Sequence, residues 1–234
     1  MRVTARAGKA VGATAGCLVT LEGGEGAGKT TQCRLLRGWL VAGGLPVTCT
    51  REPGGTALGE RLRALLLDPE LGAIAASAEM LLFSAARAET VARIILPALD
   101  RNEVVLCDRF VDSSQVYQGY GLGVDRDFIA AVNGEITAGA VVDLTLVLDV
   151  PVETGHARRR AERSDRIETR DLTYHQKVRA GYRSLAVEEP NRVRLIDATR
   201  PVTTIQRELR ELVAMALARR GLSAPAVDRE GAAP

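Results

Sequence analysis

A chain of 234 residues, 46% of them hydrophobic, suits one domain with an ample core rather than two small ones. Its formal net charge of +2 leaves no cationic surplus that would call for nucleic acid or an anionic membrane, and no apolar run reaches the ~18 residues of a membrane span. Cys17, Cys33, Cys49 and Cys107 lack C-x-x-C spacing, which argues against a zinc site; they are expected to be reduced core thiols.

Residues 1–16 are basic but lack both periodicity and the apolar core of a secretory signal, so a disordered extension on a cytoplasmic chain is expected. Beyond them, β-rich runs at Cys17–Leu21, Pro46–Thr50, Glu103–Cys107, Leu144–Val150 and Arg192–Ile196 alternate with helical patterns. The helices are expected at Lys29–Val41, Thr56–Leu67, Ser77–Leu99, Asp125–Thr137, Val152–Arg163, Asp171–Glu188 and Val202–Arg219. This alternation predicts an α/β domain over 17–220, a five-stranded parallel sheet with helices on both faces, and a frayed tail at 221–234.

Between the first strand and the first helix stands GGEGAGKT, Gly23 to Thr30, a complete G-x-x-x-x-G-K-[ST] phosphate loop. Its glycines let backbone N–H groups turn inward around an anion, Lys29 reaches the terminal phosphates, and the Thr30 hydroxyl is placed for Mg²⁺. A nucleoside triphosphate is the expected ligand.

In a parallel sheet, ligands collect at the carboxyl ends of the strands, and the other polar clusters fall there too. Arg51 closes the second strand beside Pro53-Gly54-Gly55, where a rigid guanidinium fork matches a phosphate. Asp108 ends the third strand, the position for a carboxylate that organises Mg²⁺ near phosphates, and Arg109 follows it. The bland alternatives are a solvated loop arginine for Arg51 and a structural ion pair, with Glu22 or within the strand end, for Asp108 and Arg109.

Residues 157–166 carry Arg158, Arg159, Arg160, Arg163 and Arg166. Such a run is either a solvated helix face or a lid, about 157–168, that lays guanidinium groups over a transferring phosphoryl group. Asp108 is not followed by x-x-Gly and no N-K-x-D occurs, so a switch GTPase is disfavoured. Lys29 with its loop, and Arg51 with Arg109, make two anion stations, which suits two phosphorylated substrates. A phosphate monoester acceptor is already largely a dianion at neutral pH, its second pKa lying at about 6, so no general base is required. His156 and His175 are accordingly read as exposed or internally satisfied.

In this order, EGGEGAGKTTQ (22–32), TREPGGT (50–56), LLFSAAR (81–87), DRF (108–110), SSQVYQG (113–119), LDV (148–150), SDRIE (164–168) and IDAT (196–199) resemble the thymidylate kinase family from Cys17 to about Arg219. The resemblance implies a P-loop nucleoside monophosphate kinase fold, transfer of a phosphoryl group from ATP to dTMP with Mg²⁺, and a homodimer. It further implies that Gly23, Gly24, Glu25, Gly26, Ala27, Gly28, Lys29, Thr30 and Thr31 bind ATP, and that Arg51 and Arg109 grip the dTMP phosphate. Phe83 would stack on thymine, Arg87 would bond the base with Ser114 and Gln115 near its edge, Tyr117 would pack under the sugar, and Glu25 would approach the acceptor. Phe83 and Arg87, four apart on one helix, share a face. The phosphate loop lacks the arginine that some members carry there, so Arg158, Arg160 and Arg163 of the lid are expected to supply that charge, and Phe110 replaces a commoner polar residue. A relative preferring another monophosphate, or a nucleotide-binding regulator with little turnover, remains open on sequence alone.

Overall fold

The computed structural model describes residues 16–137, 139–159 and 165–227. Its three central strands are buried on both faces and so demand helices above and below. Strands β1 (Cys17–Gly23), β2 (Val47–Arg51), β3 (Val104–Asp108), β4 (Leu144–Asp149) and β5 (Val193–Asp197) form one parallel sheet in the order β2-β3-β1-β4-β5. Period-two alternation divides the core. Val19, Leu21, Val104, Leu106, Leu146 and Leu148 pack with Leu36 and Leu40 of α1 (Lys29–Ala42) and with Leu209 and Val213 of α9 (Val202–Arg219). On the other face Leu18, Val105 and Cys107 meet Val91, Ile95 and Phe110. A third cluster joins Tyr117 and Val147 to Tyr174, Val178 and Tyr182 of α8 (Leu172–Glu188). Each fully buried Leu or Val contributes roughly 1.5–3 kcal/mol.

The remaining helices are α2 (Ala57–Leu67), α3 (Ala76–Thr90), α4 (Leu96–Asp100), α5 (Val111–Ser114), α6 (Arg126–Thr137) and α7 (Val152–Arg159). Helix starts follow local chemistry: Thr56 accepts from Gly59 N at 2.9 Å, Asp171 accepts from Tyr174 N at 2.7 Å, and Asp125 caps α6. The helix expected at Ser77–Leu99 is α3 continued through a π-turn at Val91–Ile95 into α4. Pro97 has no N–H for the ladder, and the wider turn just before it accommodates the loss.

Two differences from the sequence reading have clear causes. Helical residues Val111–Gly121, α5 and a π-helical stretch Gln115–Gly121, escaped notice because VDSSQVYQGYG carries no amphipathic period; their packing against α8 supplies the stability. Residues 221–227 are docked rather than frayed: Trp39 Nε1 donates to Ala226 O at 3.0 Å, and Leu222, Ala224 and Val227 pack on the first cluster. The expected extension at 1–15 and the tail at 228–234 lie outside the described residues. Among the described residues no helix is long and apolar enough to cross a membrane.

Strand register brings the polar ends together. Leu21, Asp108 and Arg51 lie abreast on β1, β3 and β2, and the chain reverses its strand order around β1. The phosphate loop therefore opens at the point where such sheets hold ligands.

Candidate active site

Gly26 sits at φ 66, and a Cβ there would meet Gly155 O at 2.1 Å. A Cβ on Gly155 would in turn meet Glu25 O at 2.2 Å. Only glycine at both positions lets α7 lie directly on the phosphate loop. Gly28 enters α1 in the left-handed region at φ 91. Lys29 curls back over the loop, donating from Nζ to Gly24 O at 2.9 Å and Gly23 O at 3.2 Å. Burial, with Arg109 nearby, pulls its pKa below the usual lysine range.

Arg109 is neither a partner for Glu22 nor for Asp108. Its Nη2 lies 2.5 Å from Glu25 Oε1, its Nη1 donates to Gly23 O at 3.1 Å, and its guanidinium covers the Tyr117 ring at 4.8 Å. Tyr117 Oη also donates to Glu25 Oε1, at 3.0 Å. Burial alone would raise the Glu25 pKa, but Arg109 and Lys29 outweigh it and hold the carboxyl down at about 2. Glu22 instead accepts from Phe110 N, Ser113 Oγ and Tyr182 Oη at 2.6–2.7 Å, bracing the end of β3. Asp108 Oδ2 accepts from Thr30 Oγ1 at 3.2 Å, so two hard oxygen donors stand at the mouth of the loop.

Lys29, Thr30, Thr31, Arg51, Asp108, Arg109, Arg158 and Arg159 line one open cleft of about 1100 Å³. Arg51 stands in it as a solvent-facing arm held by Glu60, Nη2 being 3.0 Å from both carboxylate oxygens. From α7, Arg158 donates to Gly26 O at 3.4 Å and Ala198 O at 3.1 Å, and Arg159 pairs with Glu25 at 3.3 Å and with Glu168. The run is thus no solvated face where it is described. Arg166 leaves the group: it is buried, with Nη2 2.6 Å from Glu79 and Nε on Leu66 O. Arg160 and Arg163 lie outside the described residues.

The expected base slot is a separate, tightly bonded cluster behind Arg109. Arg87, 1% exposed, donates from Nε to Glu52 at 2.7 Å, from Nη1 to Ser114 Oγ and Asn133 Oδ1 at 3.0 and 2.8 Å, and from Nη2 to Phe110 O at 3.0 Å. Phe83, half-buried on the same helix, packs against the cluster that contains Tyr117. Gln115 is not brought to Arg87; its amide bonds Arg126 N–H and C=O groups.

Sequence reading missed Arg63 and Glu60 of α2. Arg63 lines the cleft and braces the Pro53 carbonyl at 3.0 Å, and its pKa is lowered by burial and by Arg51. The signal was available only as two charged residues one turn apart after a Pro-Gly-Gly turn. The histidines lie off the cleft, stacked edge to face at 4.9 Å, with His175 Nε2 3.3 Å from Glu168 O. One reading of the cysteines is corrected: Cys17 and Cys107 are buried, but Cys33 is only partly covered and Cys49 is exposed. Val47, also on β2, is likewise only half-covered, because β2 is the sheet edge.

Comparison with known proteins identifies the family and the fold. Residues 21–209 match the family model described as thymidylate kinase. The chain is 47% identical over 212 residues to a thymidylate kinase of Desulfovibrio desulfuricans, covering 87% of this chain and 97% of that relative. It is also 47% identical over 196 residues to a thymidylate kinase of Deinococcus radiodurans, covering 83% and 94%. The crystal structure of thymidylate kinase from Ehrlichia chaffeensis superposes with a TM-score of 0.71 at 33% identity, over 86% of this chain and 99% of that one. Matched by that family model over residues 21–209 and 47% identical to curated members across most of its length, the chain belongs to the thymidylate kinase family.

Proposed function

We propose that the cleft transfers the γ-phosphoryl group of ATP to dTMP, giving ADP and dTDP for nucleotide biosynthesis. The donor phosphates rest on the loop Gly23–Thr31 and the acceptor phosphate lies between Arg51 and Arg109. The observation that carries this reading is the shared cleft: Lys29 and Arg51 stand on the walls of one cavity, not on opposite sides of the molecule. The acceptor oxygen arrives ionised, so the protein aligns and neutralises rather than removing a proton. Charge spreading over the transferring group is met by Lys29, Arg158 and Arg159 from the donor side and Arg109 from the acceptor side.

Thr30 Oγ1 and Asp108 Oδ2 are the donors a hard dication takes, and these two would hold Mg²⁺, Asp108 directly or through water. Bound there, Mg²⁺ would neutralise the donor's phosphate oxygens. Phe83 supplies an aromatic plate for thymine, and Arg87, already fixed by four bonds, supplies its remaining Nη2 hydrogen to a base carbonyl. Ser114 orients that arginine, and Tyr117 closes the sugar side beside Glu25.

The protein acts as a cytoplasmic homodimer in this reading. Helices α2, α3 and α6 pack side by side and leave Leu58, Leu65, Leu81 and Phe128 each 43–48% exposed, a face that a second copy would cover. Sedimentation at working concentration should exceed the 25.0 kDa of one chain; a single 25.0 kDa species removes the dimer. For the activity itself, a coupled assay with ATP and dTMP should form dTDP at a kcat of roughly 1–100 s⁻¹, with dUMP a poorer acceptor. ATP binding without dTDP formation would leave only a regulator.

A further inference from the structure

We propose that Cys33 and Cys49 form a redox modification site, a dithiol that a hydroperoxide converts into a disulfide bridging α1 and β2.

Strand register places the two thiols together. Val47, two residues before Cys49, and Leu106, its register partner on β3, both pack into the cluster beneath α1, so Cys49 projects from the same face. Cys33 packs against that cluster from α1. Both line the cleft wall, and the two thiols lie within hydrogen-bonding reach of each other. Among the described residues no third histidine, cysteine or carboxylate joins them as a metal ligand set, which leaves thiol chemistry.

Their surroundings are those of a reactive pair. The hydrogen bond from Cys33, reinforced by the Arg37 guanidinium one turn further along α1, brings Cys49 down to about 7 against the opposing effect of burial. The same surroundings favour the thiolate of Cys49, which is exposed to a small oxidant. The same bond, with burial, holds Cys33 protonated well above the ordinary thiol range, and burial pushes Cys17 up to about 12 and Cys107 well above that range.

The chemistry balances with a hydroperoxide as the oxidant. Cys49 thiolate attacks the peroxide oxygen, the O–O bond breaks, and the departing oxyanion takes a proton from water, leaving Cys49 as sulfenic acid. The Cys33 sulfur then attacks the Cys49 sulfur, the S–O bond breaks, and hydroxide leaves with the Cys33 proton as water. Two thiols lose two electrons in all, and one peroxide gains them. Cys33 is four residues after Lys29 and Cys49 is two residues before Arg51, so the bridge fixes the spacing of the two anion stations.

The test treats the reduced full-length protein with hydrogen peroxide at near-stoichiometric dose, followed by alkylation and intact mass. We expect a loss of about 2 Da before alkylation. In denaturant, where all four cysteines are accessible, iodoacetamide should then find two thiols instead of four, and peptide mapping should recover Cys33 joined to Cys49. Cys33→Ser should stop the sequence at a Cys49 sulfenic acid that dimedone traps, and dithiothreitol should reverse the wild-type change. Four alkylatable thiols after treatment, a bridge involving Cys17 or Cys107, or Cys49 oxidised to sulfinic acid with Cys33 still free would each overturn the proposal. These readouts follow mass and connectivity, so they stand apart from whether the chain phosphorylates dTMP. Turnover of the bridged form should also fall severalfold and return with dithiothreitol.

Discussion

Arg109 and Glu25 face each other at 2.5 Å across the mouth of the phosphate loop, and Arg109 does so with its backbone in the left-handed region at φ 69. A non-glycine residue held there costs on the order of 1 kcal/mol or more and persists only when its surroundings insist on it. Here they do: Arg109 N donates to Leu21 O at 2.9 Å, and the guanidinium is wedged between Glu25, Gly23 O and the Tyr117 ring. The strained turn is what aims the Arg109 guanidinium at the phosphate loop.

Arg109→Ala should therefore lose on two counts. Affinity for dTMP falls, and Glu25 is left as a buried carboxylate short of its main partner, costing about 3–5 kcal/mol of stability. Adding Glu25→Gln should restore much of the stability and none of the dTMP affinity. Urea unfolding beside dTMP titration separates the two effects, and parallel recovery of both would remove Arg109 from the acceptor site.

Lys29→Ala tests whether the stations are independent. Among the described residues Lys29 donates only to loop carbonyls, and neither Arg51 nor Arg109 takes a hydrogen bond from it. We expect kcat to fall by about 10²–10³-fold with dTMP binding nearly unchanged. Equal loss of both, read by single-turnover kinetics and calorimetry, would mean one station rather than two.

Burial of Glu52 sets a pH dependence of stability. Desolvation raises its pKa from 4.5 to about 7, although Arg87 pulls the other way, and among the described residues Oε1 has no hydrogen-bond partner. A folded-state value above the unfolded one means the stabilising contribution is complete below pH 4.5 and disappears as pH rises through about 7. Glu52→Gln keeps an acceptor for Arg87 without the charge. Relative to this variant the wild type should lose a few kcal/mol between pH 4.5 and 7, at about 1.4 kcal/mol per unit. A pH-independent difference in chemical denaturation would contradict the assignment.

Asp108→Asn leaves a neutral oxygen beside Thr30 in place of a carboxylate. The Mg²⁺ concentration for half-maximal rate should rise by about 10–100-fold while dTMP affinity holds. An unchanged Mg²⁺ requirement would return Asp108 to a structural role.

How much of this was legible in the sequence differed with the physics involved. Strands and long helices showed because their apolar periods record burial directly; Lys29 showed through the spacing of the glycine-rich loop that precedes α1, and Arg51, Asp108 and Arg109 through their places at or just past the ends of β2 and β3, and all four line one cleft. Helical residues 111–121 did not, since tertiary packing rather than pattern stabilises them. Nor did the partner of Arg109: Glu25 is 84 residues away, and only the β1–β3 register brings them together. The docking of 222–227 on Trp39 depends on the shape of small residues, which composition does not record.

Arg159 and Arg166 belong to one charge run, yet the fold gives them opposite tasks, and their alanine variants should fail differently. Arg159 lines the cleft and reaches from α7 to Glu25 and Glu168, so its removal takes charge from the proposed transfer site and should lower kcat by about 10–100-fold with a modest change in Tm. Arg166 serves Glu79, a wholly buried carboxylate on α3 that also binds Arg170 and Gln118. Losing Arg166 leaves that carboxylate with two of its three donors, which should cost about 2–3 kcal/mol and lower Tm by roughly 5–10 °C. Since Glu79 precedes Phe83 by one helical turn, the residual activity of Arg166→Ala should show a raised KM for dTMP rather than a reduced kcat. Thermal melts with steady-state kinetics on both variants decide the matter. The same pattern in each would mean that the run acts as a single electrostatic patch.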